Sequence, residues 1–108
     1  MRILVFSETP DRVEDALKTA LPKDADLEIL PLRGLKRTVQ KPLNADLLYL
    51  DIADIGEAGL GRYASTLASA EKLPWGVLDT AGELADPARA FFRGARDYLG
   101  PGALRAGI

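Results

Sequence analysis

Apolar positions alternate between two rhythms along this chain. Ile3-Leu4-Val5-Phe6 is an unbroken apolar run, the pattern of a strand buried on both faces. Thr9-Pro10 then marks a helix start, with Thr as N-cap and Pro at the first helical position. Val13, Ala16, Leu17, Ala20 and Leu21 fall on one helical face before Pro22 ends it. Leu27–Leu32 reads as a second strand, and 33–43 as a short or distorted helix. Asp46–Asp51 is the third strand. Gly56, Gly59 and Gly61 read as a loose loop, followed by a helix carrying Leu60, Tyr63, Ala64, Leu67 and Ala68. Pro74–Leu78 is a fourth strand. Asp86-Pro87 repeats the cap-plus-proline device, with Ala88, Phe91, Phe92 and Ala95 as the apolar face and Gly94 as the stop. Arg96–Leu99 is a short fifth strand, and Gly100-Pro101-Gly102 breaks the chain direction after it.

Alternating strand and helix predict right-handed crossovers and a parallel sheet with helices on both faces. A fifth strand calls for one more covering helix, and 103–108 is too short for one. The final helix is therefore expected to be missing or truncated. The chain is 108 residues long, which fits one domain, read here as 1–101 with 102–108 as a linker or the start of a further segment.

Composition narrows the chemistry. A net charge of −2 gives no global field toward nucleic acid or membrane. The absence of Cys removes thiol chemistry and suits a cytoplasmic setting. The absence of His removes imidazole bases and the common zinc sites. No nucleophile–base pair can be assembled without carboxylate or Lys chemistry, so the chain is not read as an enzyme. No apolar run approaches membrane-spanning length.

Two acids close apolar runs: Glu8 after the first strand and Asp51 after the third. Carboxyl ends of strands in an open α/β sheet are where sites form. Two such acids could share a divalent cation. Equally, Asp caps turns at strand ends, and Glu8 complements a helix dipole. Asp54 reads as a loop residue.

With these segments in place, the chain resembles the response-regulator receiver domain across roughly residues 2–101, a five-stranded flavodoxin-like fold with sheet order 2-1-3-4-5. The resemblance rests on 46–56, similar to the phosphoacceptor strand and loop, and on Gly94-Ala95-Arg96-Asp97-Tyr98-Leu99. It implies Asp51 as phosphoacceptor, Glu8 and Asp51 as ligands of Mg²⁺, Asp79 or Thr80 at the switch hydroxyl position, and Tyr98 as the switch aromatic. The alternative for Tyr98 is a half-buried strand residue with its hydroxyl in water. The chain departs from the family where the chemistry needs charge. Ser7 stands in place of a second metal acid, Asp79 in place of a hydroxyl, and Gly100 precedes Pro101 where a Lys is expected. Without that Lys the phosphoryl group lacks its cationic partner. These losses imply a degenerate receiver, with its acceptor carboxylate kept and the positive charges around it lost.

Two other motifs are weaker. Asp79-Thr80-Ala81-Gly82 resembles a GTPase segment, but the first turn, Ser7-Glu8-Thr9-Pro10-Asp11, has neither Gly nor Lys to cradle phosphate. Arg33, Lys36, Arg37 and Lys41 form a basic cluster without interleaved aromatics, the pattern of a solvated face. The resemblance implies a regulatory module with a downstream effector domain in the same chain. It also implies a homodimer through 86–99, with Phe91, Phe92 and Tyr98 as contact residues. The alternative is a working phosphorelay receiver fed by a histidine kinase, using Asp51 and Mg²⁺. No nucleic-acid or membrane partner is expected.

Overall fold

The computed structural model describes residues 2–18, 25–39, 45–53, 55–68 and 74–100. Five strands form one parallel sheet in the order β2-β1-β3-β4-β5, as the sequence predicts. They are β1 (Arg2–Ser7), β2 (Asp26–Pro31), β3 (Leu47–Asp51), β4 (Trp75–Leu78) and β5 (Asp97–Leu99). The helices are α1 (Pro10–Lys18), α2 (Leu35–Val39), α3 (Gly56–Ala68) and α4 (Ala88–Phe92). A 3₁₀ turn, Leu32–Gly34, leads into α2, so the irregular 33–43 stretch is helical in two short pieces as far as Val39. Ala20, Leu21, Lys41, Asp54 and the expected final helix at 102–108 lie outside the described residues.

Strand alternation divides the core into two layers. Ile3, Val5, Tyr49, Leu78 and Leu99 pack with Val13 and Leu17 of α1. Leu4, Phe6, Leu48, Leu50, Trp75 and Val77 pack with Leu35, Leu60, Ala64, Leu67 and Ala90 on the other face. In β1 and β3 every residue from Ile3 to Ser7 and from Leu48 to Asp51 is buried, which is why these strands read as continuous apolar runs.

Two expectations are corrected. Gly56, Gly59 and Gly61 are not a loose loop but lie inside α3. A Cβ on Gly59 would stand 2.4 Å from the Ile55 Cβ, so a side chain does not fit there, whereas at Gly61 it would meet only the end of the flexible Arg93 side chain at 3.2 Å. The apolar face of α4 is also narrower than predicted. Ala90 and Ala95 are buried, whereas Phe91 is 48% and Phe92 87% exposed. A five-residue helix turns only one side to the sheet, and the small Ala90 takes it. The cap matches its sequence signature: Asp86 Oδ1 accepts from the Ala88 N–H at 3.0 Å.

Among the described residues no helix is long and apolar enough to cross a membrane.

Candidate functional site

The register carries three strand tips to one edge of the sheet. Phe6 lies opposite Leu50, so Ser7 and Asp51 come next, side by side. Leu78 pairs with both Asp51 and Leu99, which brings Asp79 and Gly100 to the same rim.

Asp51 is 1% exposed, and each of its carboxylate oxygens accepts a hydrogen bond. Ser7 Oγ donates to Oδ2 at 2.7 Å, and the Ala53 N–H donates to Oδ1 at 3.1 Å. Ser7 Oγ in turn accepts from the Thr9 N–H at 2.9 Å, fixing the turn into α1. Ser7 is thus more than a lost metal acid: it is a hydroxyl donor aimed at Asp51. From the first turn of α1, Arg12 reaches back to place Nη2 3.7 Å from Asp51 Oδ2.

Arg12 corrects the expectation that no positive charge remains beside the acceptor carboxylate. The sequence holds a hint of it. A cation in a helix's first turn opposes the helix dipole, so such a residue tends to have a specific partner. What sequence could not supply was the direction of the side chain.

Glu8 is exposed beside this pocket. Among the described residues no three carboxylates gather where a metal could be held. Mg²⁺ favours carboxylates and waters in octahedral array. Here the Ser7 hydroxyl and the Arg12 guanidinium already engage Asp51 Oδ2. These donors fit a divalent cation poorly.

The second half of the rim is organised around Asp79, which is completely buried. Its Oδ1 accepts from the Glu83 N–H at 2.7 Å, and its Oδ2 accepts from the Leu84 N–H at 3.0 Å and the Tyr98 hydroxyl at 2.7 Å. Gly82, with φ of 69°, allows the sharp turn that brings residues 83 and 84 back over the carboxylate. Thr80, the other hydroxyl candidate, is half-buried. The Tyr98 hydroxyl is therefore held by Asp79 rather than left to water. Burial, then the hydrogen bond to Asp79 and the charge of Asp79, push the Tyr98 phenol above its ordinary range.

Gly100 completes the arrangement. A Cβ there would stand 2.9 Å from Tyr98 Cε1 and 3.2 Å from its hydroxyl. The inward ring fills the space a side chain at position 100 would need. Asp79, Tyr98 and Gly100 form one interlocked unit.

A parallel device sits under the opposite face. Tyr49 crosses β4 at Gly76 and donates to Asp97 Oδ2 at 2.6 Å. A Cβ on Gly76 would come within 2.6 Å of the Tyr49 ring. Burial, reinforced by Asp97, pushes this phenol up as well.

The structure thus brings Asp51 together with Ser7 and Arg12, and Asp79 with Tyr98. Phe91 and Phe92 stand apart on α4.

No family model matches the chain, and no curated relative does. Solved structures do. A pilus assembly protein CpaE from Caulobacter crescentus superposes with a TM-score of 0.67 at 18% identity, covering 97% of this chain and 92% of that one. The N-terminal domain of a response regulator/sensory box/GGDEF three-domain protein from Carboxydothermus hydrogenoformans gives 0.63 at 19%, covering 98% and 95%. The receiver domain of the TMAO respiratory response regulator TorR gives 0.62 at 18%, covering 92% and 82%. The fold is therefore the flavodoxin-like fold of receiver domains.

Proposed function

We propose that this chain is a receiver-like regulatory domain without turnover of its own, working in the cytoplasm as an interaction module for a downstream effector domain. In this reading it does not accept a phosphoryl group. One observation carries it: Asp51 Oδ2 is already bonded by Ser7 and faced by Arg12, where a receiver would need a metal and an open carboxylate. The rim's second half supports it. A phosphoryl group would meet a carboxylate, Asp79, in place of a hydroxyl, and no Lys beside Pro101. The downstream effector is supported by a structural neighbour that is the N-terminal domain of a three-domain protein. Self-association through the 86–99 stretch is part of the proposal, since it carries the two large exposed aromatics.

A phosphorelay receiver is the second reading, because Asp51 keeps its place at the tip of β3 and Arg12 brings a positive charge to it. The two readings separate by intact mass. The protein is incubated with acetyl phosphate and Mg²⁺, which would transfer a phosphoryl group to an Asp51 oxygen and release acetate. An unchanged mass is expected. Addition of one phosphoryl group, absent from Asp51→Asn, overturns the proposal and makes a histidine kinase the next partner to seek.

A further inference from the structure

Helices on the two faces of the sheet carry opposite charge. α1 packs on one face and presents Asp11, Glu14 and Asp15 to solvent. The 3₁₀ turn, α2, α3 and α4 pack on the other. Those elements hold five cations, Arg33, Lys36, Arg37, Arg62 and Arg89, and a single acid, Glu57, which is taken up by Arg89. The other four cations are exposed, and none of them meets a carboxylate among the described residues.

Three of the four belong to one short segment. Between Glu28 and Asp46 the chain has no acid at all. Leu32 and Leu35 are buried in the core and fix how this segment lies. Arg33, Lys36 and Arg37, at i, i+3 and i+4, are left outside. Like charges at this spacing repel and weaken a helix, and α2 has only five residues. Lys36 and Arg37 do complement the C-terminal dipole of α2. Arg33 stands before that helix and Arg62 in the middle of α3, where no dipole favours them. A face kept only for solubility interleaves both signs, and this one does not. α3 packs beside α2. Gly61 of α3 faces Arg93, just after α4, and Arg62 is turned about 100° further round, away from α4.

We infer that the α2–α3 face docks an acidic protein segment, a short run of Asp and Glu side chains set against Arg33, Lys36, Arg37 and Arg62. Charge complementarity selects this partner. The whole chain is net negative, so a long polyanion meets repulsion beyond the patch. Nucleic acid gains affinity from many phosphate contacts or from aromatic platforms, and the exposed aromatics stand on α4 instead. A compact carboxylate cluster needs neither. The surface uses neither Asp51 nor the 86–99 stretch, so it goes beyond the reading above and is tested apart from it.

The test is fluorescence anisotropy of a labelled decaglutamate peptide titrated with the whole chain. Wild type is expected to bind, with an affinity that falls as salt rises. Arg33→Gln combined with Arg37→Gln is expected to weaken binding about tenfold. Arg93→Gln combined with Arg96→Gln removes the same charge after α4 and is expected to change the affinity less than about twofold. Arg62→Gln, in the regular middle of α3, is expected to weaken binding about threefold, and it carries the test should the short α2 unravel in the first variant, as read by far-UV circular dichroism. If the control pair weakens binding as much as the α2 pair, the peptide follows overall charge and the inference falls. It also falls if wild type does not bind the peptide, or if neither the α2 pair nor Arg62→Gln weakens binding. Tighter binding to duplex DNA of equal charge, or to vesicles of anionic lipid, overturns it in favour of that polyanion.

Discussion

Tyr98→Phe tests the interlocked rim most directly. The substitution removes one hydroxyl and keeps the ring that lies over Gly100. What is lost is a 2.7 Å hydrogen bond to a fully buried carboxylate. Bonds to charged groups contribute about 1.5–3 kcal/mol. Tyr98 is half-buried, and Asp79 retains the Glu83 and Leu84 N–H donors, so the lower end applies, about 1.5 kcal/mol. Asp79→Ala goes further, because it strands two backbone donors and the phenol together; about 3 kcal/mol is expected. Once Asp79 is gone, the Tyr98 hydroxyl has no carboxylate to serve. Adding Tyr98→Phe to Asp79→Ala should therefore change little, giving a coupling of about 1 kcal/mol or more. Urea unfolding followed through Trp75, the sole tryptophan and 6% exposed, measures all three variants. At an m-value of about 1.5 kcal/mol/M, Tyr98→Phe lowers the midpoint by about 1 M. A shift under about 0.5 kcal/mol, with additive effects in the double variant, would refute the lock.

Alkaline pH probes the same bonds from another side. Both phenols titrate above their ordinary value in the fold. Below about pH 10 they are neutral in folded and unfolded chains alike; above it the unfolded chain releases its protons first, so stability falls as pH rises. Urea midpoints from pH 8 upward should show this fall, and Tyr98→Phe should reduce its slope; a flat profile through pH 11 would contradict it. Gly76→Ala forces a methyl to within 2.6 Å of the Tyr49 ring and should destabilise by about 1–3 kcal/mol, read as a lowered thermal midpoint. Ser7→Asp replaces a donor to Asp51 with a second carboxylate. Stability in chelator should fall by about 1–3 kcal/mol and recover with millimolar Mg²⁺, while wild-type stability stays insensitive to Mg²⁺.

Periodicity carried most of the fold. Continuous apolar runs in β1 and β3 and the caps at Thr9 and Asp86 mark elements that local chemistry decides, and the structure agrees with them. Gly59 and Gly61 mislead because glycine signals a loop by propensity, whereas here both lie in a helix and Gly59 makes room for the Ile55 side chain. Adjacent Phe91 and Phe92 could not both turn inward from one helical face, and both stand exposed, as residues of a contact surface would; α4 is too short to bury either. In the site, Asp51 and Asp79 are legible as acids at strand tips. Their partners are not. Ser7 reads as a missing ligand, no motif in the sequence singles out Arg12, and the Asp79–Tyr98 bond spans 19 residues that only the parallel register closes.

Gly100 sets an order on any route back to a fully charged rim. A lysine cannot simply be added at that position, because the Tyr98 ring already stands there. The ring can leave only when its hydroxyl is released, and Asp79 holds it. Replacement of Asp79 by a hydroxyl residue first is therefore the less costly order, since a side chain at position 100 would press on a ring whose hydroxyl is still held.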